Sequence, residues 1–194
     1  MDKKMLSIPS KLETPRLIIR KYESGDGKYL FQLLESGNNR EYLNEHSDDA
    51  TNVKTEKDAE TRIQQLSKDW IERTRFVMGI WLKSSEKYIG QIWIEPNKQE
   101  VPSFELGWYL EQSLQKQGFA TEAAKASINF IFNNLKAYKI IVITRDDNLR
   151  SVKLAERLGF KKEAHLREHS IKKDGSRVGL SYYGILKNKR DKLF

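Results

Sequence analysis

The chain has 194 residues, 38% of them hydrophobic and 32% charged, with a formal net charge of +8 and no cysteine. That length suits one large domain with its own core, and the absence of cysteine excludes disulfides, thiolate metal sites and a cysteine nucleophile. No apolar run approaches the roughly 20 residues of a membrane span, and the polar start MDKKMLSIPSKLE lacks the apolar centre of a signal peptide, so a cytoplasmic protein with no membrane partner is expected. The positive excess is uneven, because residues 1–138 carry 20 Lys and Arg against 20 Asp and Glu, whereas residues 139–194 carry 15 against 7. A nucleic-acid footprint is one reading of that asymmetry. A positive field for a bound polyanion, with a solvated basic tail over residues 188–194, is the favoured one, since no basic cluster is interleaved with aromatic residues as a stacking platform would be.

Residues 1–13 are polar and read as a flexible N-terminal segment, leaving residues 14–187 as a single domain. Arg16 to Tyr22 alternates as a first strand. Ser24-Gly25-Asp26-Gly27 then leads into a helix over residues 26–36, with Tyr29, Leu30, Leu33 and Leu34 at helical spacing. The glycines there do not form a phosphate loop, because GDGK lacks the GxxxxGK[ST] spacing. Residues 35–60 are acidic and poor in apolar anchors, the composition of a solvated, mobile loop; the alternative is a rim that attracts a cationic amine. Thr55 to Thr74 reads as a helix that buries Ala59, Ile63, Leu66, Trp70 and Ile71.

Phe76 to Leu82 and Tyr88 to Ile94 are short, aromatic and β-branched, the pattern of a hairpin. The next strand separates Phe104, Leu106, Trp108 and Leu110 on a core face from Glu105, Gly107, Tyr109 and Glu111 on the other. A helix follows, its stripe traced by Ala123, Ala124, Ile128, Ile131, Phe132 and Leu135. Lys139 to Arg145 is nearly all apolar, as in a strand buried on both faces, and the strand-helix-strand order implies a parallel crossover. Asn148 is placed to cap a further helix that Gly159 ends, and Glu163 to Ile171 with Val178 to Leu186 flank an Asp174-Gly175 hairpin turn. His165 and His169 fall on a strand, where positions four apart are separated by about 13 Å and cannot share an ion, so no metal site is expected.

One stretch organises the rest: strand, glycine-bearing turn and helix follow one another without a gap from Phe104 to Leu135. A turn that delivers the chain into a helix N-terminus leaves backbone N–H groups unpartnered at the positive end of the helix dipole, which is a geometry for binding phosphate. Gly118 stands where that turn needs a bare backbone.

The pattern Gln115-x-x-Gly118-x-Ala120, followed by Thr121, resembles the pyrophosphate-binding motif of the GNAT superfamily of N-acetyltransferases. Together with the TPRLIIRKY start, FELGWYL, QKQGFATEA, NLRSVKLAERLGF and the final YYGIL strand, the resemblance covers most of the chain and is similar above all to the RimJ/RimL-like branch. It implies a single-domain α/β fold with a mixed, mostly antiparallel sheet of about seven strands, flanked by helices. It also implies that the fourth and fifth strands splay around acetyl-CoA, the cosubstrate, with no metal. On this resemblance the pantetheine arm pairs with main chain at Trp108, Tyr109 and Leu110, and the pyrophosphate rests on the turn from Gln115 through Gln117, Gly118, Phe119 and Ala120 to Thr121. Asn148 and Ser151 match positions that face pantetheine and the thiol.

The implied reaction is direct attack of an amine on the thioester, without a covalent enzyme intermediate. An alkylammonium of pKa about 10 must first lose a proton, and Glu105 is the expected general base, by that logic and by similarity to relatives with a glutamate on the fourth strand. A backbone N–H near Tyr109 or Leu110 would polarise the carbonyl. The chain departs from a common family pattern in carrying Ala155 where many relatives have a tyrosine acid; Ser151, one turn earlier, either replaces that acid or bonds pantetheine. The amine acceptor is left open among a protein or peptide N-terminus, including that of a ribosomal protein, a polyamine and an amine-bearing antibiotic, and monomer and homodimer both remain compatible.

Overall fold

The computed structural model of the chain describes residues 8–44, 47–97 and 100–192. Strands β1 (Lys11–Glu13), β2 (Leu17–Lys21), β3 (Phe76–Leu82), β4 (Tyr88–Asn97), β5 (Ser103–Leu110), β6 (Lys139–Arg145), β7 (Lys161–Ile171) and β8 (Arg177–Leu186) form one sheet in the order β1-β2-β3-β4-β5-β6-β8-β7. Every neighbouring pair is antiparallel except β5 and β6, which run parallel. Helices α1 (Gly27–Glu35), α2 (Asn39–Leu43), α3 (Asp48–Asn52) and α4 (Glu56–Glu72) lie between β2 and β3 in the chain; α5 (Phe119–Asn133) joins β5 to β6, and α6 (Leu149–Arg157) joins β6 to β7.

Alternation along the strands builds two cores, one on each face of the sheet. Leu17, Ile19, Met78, Ile80, Ile92, Ile94, Leu106 and Leu110 pack under α5 and α6, whose inner faces bring Ala123, Ile128, Ile131, Leu154 and Leu158. Val77, Trp81, Tyr88 and Tyr109 point the other way and meet Leu30, Leu33, Leu34, Ala59, Ile63 and Leu66 of α1 and α4. The second face of β5, which the sequence sets apart from the core face, is therefore largely covered, and Tyr109 is only 5% exposed.

The eighth strand is β1, in the segment expected to be flexible. Lys11, Leu12 and Glu13 pair with Arg20, Ile19 and Ile18, and Glu13 holds both Lys11 and Lys83; residues 1–7 of that segment lie outside the described residues. At the other end Lys187–Lys192 forms a 3-10 turn, and residues 193–194 lie outside the described residues. The acidic stretch is also more structured than its composition implies, residues 45–46 aside, which are not described. Leu43, Ala50 and Val53 are buried, Asn39 Nδ2 donates to Leu33 O, and Arg40 donates to Ala50 O and Val53 O. Few apolar anchors suffice because side chains satisfy the backbone that loops leave unpaired.

Helix α4 opens on a capping box in which Asp58 N donates to Thr55 Oγ1 at 3.1 Å and Thr55 N donates to Asp58 Oδ2 at 2.8 Å. Replacing Thr55 by Ala is expected to destabilise the fold by about 1 kcal/mol, read as a lower urea midpoint with unchanged slope. Ile71, expected in the buried stripe, is 76% exposed. One residue past Trp70 is a rotation of about 100°, which carries Ile71 off the face that Ala59, Ile63, Leu66 and Trp70 share.

Candidate active site

The β5/β6 ladder is short. Ser103, Phe104 and Glu105 pair with Lys139, Ile140 and Ile141, and the pairing ends there although β5 continues to Leu110 and β6 to Arg145. Beyond Glu105 the two strands share no ladder, so from Leu106 to Leu110 β5 keeps β4 on one edge and offers the other to the gap. A parallel pair that stops pairing partway leaves backbone donors and acceptors facing a cleft, available to an extended ligand.

The wide end of that cleft is closed by the glycine turn. Lys116 at φ 63° and Gly118 at φ 84° place two left-handed residues in the turn, and Gly118 is the N-cap of α5 without a side-chain cap. The first intrahelical bond runs from Glu122 N to Gly118 O at 3.0 Å, so the amides of Phe119, Ala120 and Thr121 precede it and are left without intrahelical acceptors. Arg16 and Thr14 lock the turn from behind. Arg16 Nε donates to Glu122 Oε2 at 2.7 Å, Arg16 NH1 donates to Gln117 O at 3.0 Å, and Thr14 Oγ1 donates to Glu122 Oε1 at 2.5 Å. These bonds hold the Glu122 carboxyl below its ordinary range against the opposing effect of burial and let Arg16 stack on Phe119, 4.4 Å from the ring centre.

A cavity of about 380 Å³ occupies the cleft, and its walls include Trp108, Tyr109, Leu110, Gln115, Gly118, Phe119, Ala120, Thr121, Asn148 and Ser151. Ten residues singled out in the sequence are thus brought together from β5, the glycine turn and the start of α6. Asn148 caps α6 by accepting from Ser151 N at 3.3 Å, which fixes the residue beside the cleft. Gln117 does not line the cavity; its amide turns to Ser113 O and its own carbonyl to Arg16. Ala155 is fully buried and brings no hydroxyl there.

Several lining residues had escaped the sequence reading. Arg150, Lys153 and Arg157 border the cavity together with Lys116, giving its rim four cations. The signal was present as i, i+3, i+7 spacing on α6, which puts the three on one helical face. Tyr42 and Leu43 of α2 also line it, and Arg150 links the two walls by donating to Gln115 Oε1 at 2.5 Å while lying 5.6 Å from the Tyr42 ring centre. No sequence signal announced that α2 reaches the cleft.

Glu105 is not in this cavity. It sits at the closed end of the splay, where the ladder stops, opposite Glu95 of β4 and on the sheet face shared with Tyr109. Burial, and secondarily Glu95, raises its carboxyl above the ordinary value, with Arg75 opposing. Among the described residues its carboxyl makes no hydrogen bond or ion pair. A second cavity of about 370 Å³ opens on that face, walled by Asp49, Arg62, Arg75, Gln91, Trp93 and Glu95 among others.

Buried Asp49 ties the second cavity to the cleft. Its Oδ2 accepts from Gln91 Nε2 at 2.9 Å and from the Tyr109 hydroxyl at 3.4 Å, and its Oδ1 accepts from Arg62 Nε at 2.9 Å. Gln91 is bound in turn by Tyr22, which also bonds Tyr88. Burial pushes the phenols of Tyr22, Tyr88 and Tyr109 upward, so they remain neutral donors. Tyr109 therefore lines the cleft while its hydroxyl joins the network beneath the second cavity. His165 and His169 lie on β7, where His165 Nε2 meets Asp146 Oδ2 at 2.5 Å.

A family described as acetyltransferase (GNAT) domain matches residues 16–161, more than half of the chain. An uncharacterized N-acetyltransferase, p20 of Bacillus licheniformis, is 30% identical over 176 residues, covering 91% of this chain and 96% of the relative. Among solved structures, the RimL ribosomal L7/L12 alpha-N-protein acetyltransferase in complex with coenzyme A superposes with a TM-score of 0.80 at 17% identity, covering 92% of this chain and 97% of that one. The microcin C7 self-immunity acetyltransferase MccE, solved with acetyl-CoA and AMP, superposes with a TM-score of 0.81 at 18% identity, covering 92% and 97%. With the splayed parallel pair, the uncapped helix behind its glycine turn and the match over residues 16–161, the chain belongs to the GNAT family of N-acetyltransferases.

Proposed function

We propose that the chain is a RimJ/RimL-like enzyme that transfers acetyl from acetyl-CoA directly to a primary amine, with a protein or peptide N-terminus as the acceptor. The observation that carries this reading is the conjunction of the gap beyond Glu105 with three unpartnered amides at its wide end. The residues suit the cosubstrate chemically: amides and a helix dipole for a diphosphate, an open strand edge for the amides of pantetheine, and a cationic rim for the outer phosphate. When bound, acetyl-CoA supplies the activated thioester.

The chain's own residues do the rest. Phe119, Ala120 and Thr121 hold the diphosphate through main chain; Trp108 to Leu110 orient the pantetheine arm, and an N–H at Tyr109 or Leu110 faces the developing oxyanion. Asn148 shapes the start of α6 so that Ser151 faces the thiol, either donating to it as it leaves or bonding the arm. Glu105 takes the proton from the amine, directly or through water, and the amine arrives from the Asp49 side of the sheet. The acceptor's surroundings there have structure, since Asp49 and Thr51 of α3 wall the second cavity.

A screen for coenzyme A release, with peptides differing at their first residue beside small polyamines, tests the reading. Release with at least one amine is expected, and none with any amine would defeat it. The rim carries a separate expectation. Removing Lys153 and Arg157 should weaken acetyl-CoA binding by roughly threefold per side chain, the effect of about 0.5–1 kcal/mol from an exposed charge. That loss should fade in high salt, and titration calorimetry at two ionic strengths would detect it.

A further inference from the structure

The charges of the second cavity point to a particular kind of acceptor, and the argument rests on the acetyltransferase reading above. Among the described residues, four charged side chains wall the cavity: Asp49, Arg62, Arg75 and Glu95. Asp49 already accepts from Arg62, Gln91 and Tyr109, and it is only 3% exposed. Glu95 is held by Arg75, NH2 to Oε1 at 2.7 Å. Asp49 is thereby withheld from an incoming ammonium group, and Glu95 keeps one carboxylate oxygen on Arg75.

The guanidinium groups differ from them. Arg62 uses Nε on Asp49, and Arg75 uses NH2 on Glu95. A guanidinium presents five N–H donors in a planar fork, and among the described residues the remaining donors of both arginines have no acceptor. Both side chains are about one-third exposed, at 29% and 33%. Glu105 does not itself line the cavity but stands across the β4/β5 ladder from Glu95 and within reach of the charge of Arg75, half-buried and, among the described residues, with no partner for its carboxyl. The face thus combines one unpaired carboxylate with two guanidinium forks that have donors to spare.

We propose that the acceptor site is built for an amine that carries a carboxylate close by, its ammonium meeting Glu105 and its carboxylate meeting the spare N–H groups of Arg75 and Arg62. A polycation would bring a second ammonium against two guanidinium groups, an arrangement disfavoured by like charge. A carboxylate instead completes charge-assisted hydrogen bonds that arginine is shaped to make in pairs. The volume of about 370 Å³ is at the small end of ligand pockets, which run from about 300 to 1,000 Å³, and suits the end of a chain or a free amino acid. Two sources share this chemistry: a peptide N-terminus with an acidic residue just behind it, and an amino acid with its own α-carboxylate.

The test uses the full chain with saturating acetyl-CoA and reads coenzyme A release. Acceptors are C-terminally amidated tetrapeptides Ser-Asp-Ala-Ala and Ser-Lys-Ala-Ala, free aspartate and spermidine. A preference in kcat/KM of about tenfold or more for a carboxylate-bearing acceptor is expected, the equivalent of one charge-assisted hydrogen bond. The peptide and aspartate arms separate the two sources. Arg75→Gln should reduce the preference to about twofold while acetyl-CoA affinity by calorimetry stays at the wild-type value, and Arg75→Lys should restore part of it. Equal or faster turnover of the lysine peptide or spermidine would overturn the inference and leave the acetyltransferase reading standing. Retention of the full preference by Arg75→Gln would overturn it as well. Absence of release with every acceptor would overturn both.

Discussion

Replacing Gly118 by valine is expected to abolish measurable acetyl-CoA binding. At φ 84° an L-residue pays roughly 1–2 kcal/mol to remain left-handed, and a β-branched one is worse placed still. The built Cβ would also stand 3.3 Å from Arg16 NH2, disturbing the guanidinium that braces the turn through Gln117 O and Glu122. If the turn relaxes to negative φ, the amides of Phe119, Ala120 and Thr121 no longer converge. Each charge-assisted hydrogen bond lost is worth about 1.5–3 kcal/mol, so losing two of them weakens binding by a factor on the order of 10² to 10⁴. Calorimetry with acetyl-CoA reads this directly, and a far-ultraviolet spectrum matching wild type shows that the fold persists. A variant that binds as tightly as the parent would refute this placement of the diphosphate site.

The second large effect is expected at Glu105. Glu105→Gln should lower kcat by about 10² to 10⁴, the usual contribution of a positioned general base, with acetyl-CoA affinity unchanged because the side chain lies outside the cleft cavity. Its pH signature follows from the raised carboxyl, caused first by burial and then by Glu95. The base acts when ionised, so the acidic limb of kcat/KM should fall at a higher pH than an ordinary carboxylate would give, and the variant should lack that limb. Stability runs the other way. Because its folded-state value is raised, the carboxylate binds protons more readily in the folded chain, so folding loses stability as pH rises from the ordinary glutamate value through the raised one. Above that window the ionised side chain costs stability that Gln does not, so Glu105→Gln should melt no lower than wild type. A large fall in melting temperature would make Glu105 a structural residue, and unchanged kcat would remove it from the chemistry.

That contrast between rate and stability suits a carboxylate without a partner in a half-buried place. Elsewhere on the same face the protein satisfies its buried charge: Asp49 takes three donors, one of them the Arg62 guanidinium that neutralises it. Sites of function are where such local rules are broken.

What could be read from the chain is instructive in its detail. Helix α5 was legible because its stripe and the glycine before it are local signals, and Asn148 was legible as a cap because capping involves residues three apart. The cleft-lining residues of β5 and the glycine turn came from a motif contiguous in sequence, and the rim cations of α6 could have been found from their spacing. Tyr42 could not, since nothing near it in sequence says that α2 overhangs a turn some 70 residues later. Composition misled over residues 35–60: buried Asp49 looks like any surface acid until Arg62, Gln91 and Tyr109 surround it. The extra edge strand β1 escaped for a related reason, since three residues with Leu12 as the one apolar side chain are too short to show a period and pair only because β2 offers an edge.

By itself, then, the sequence determined the order and type of the major elements, the glycine turn into α5 at Gly118 and the family, because each depends on periodicity or on contacts within a few residues. Only the tertiary structure decided where the β5/β6 ladder stops, that Glu105 stands at that point outside the cleft cavity, and that Arg75 and Glu95 gather beside it. Those outcomes depend on register between strands and on side chains that meet across the sheet. Loop closure over tens of residues costs free energy that only the assembled core returns, so no local pattern encodes them.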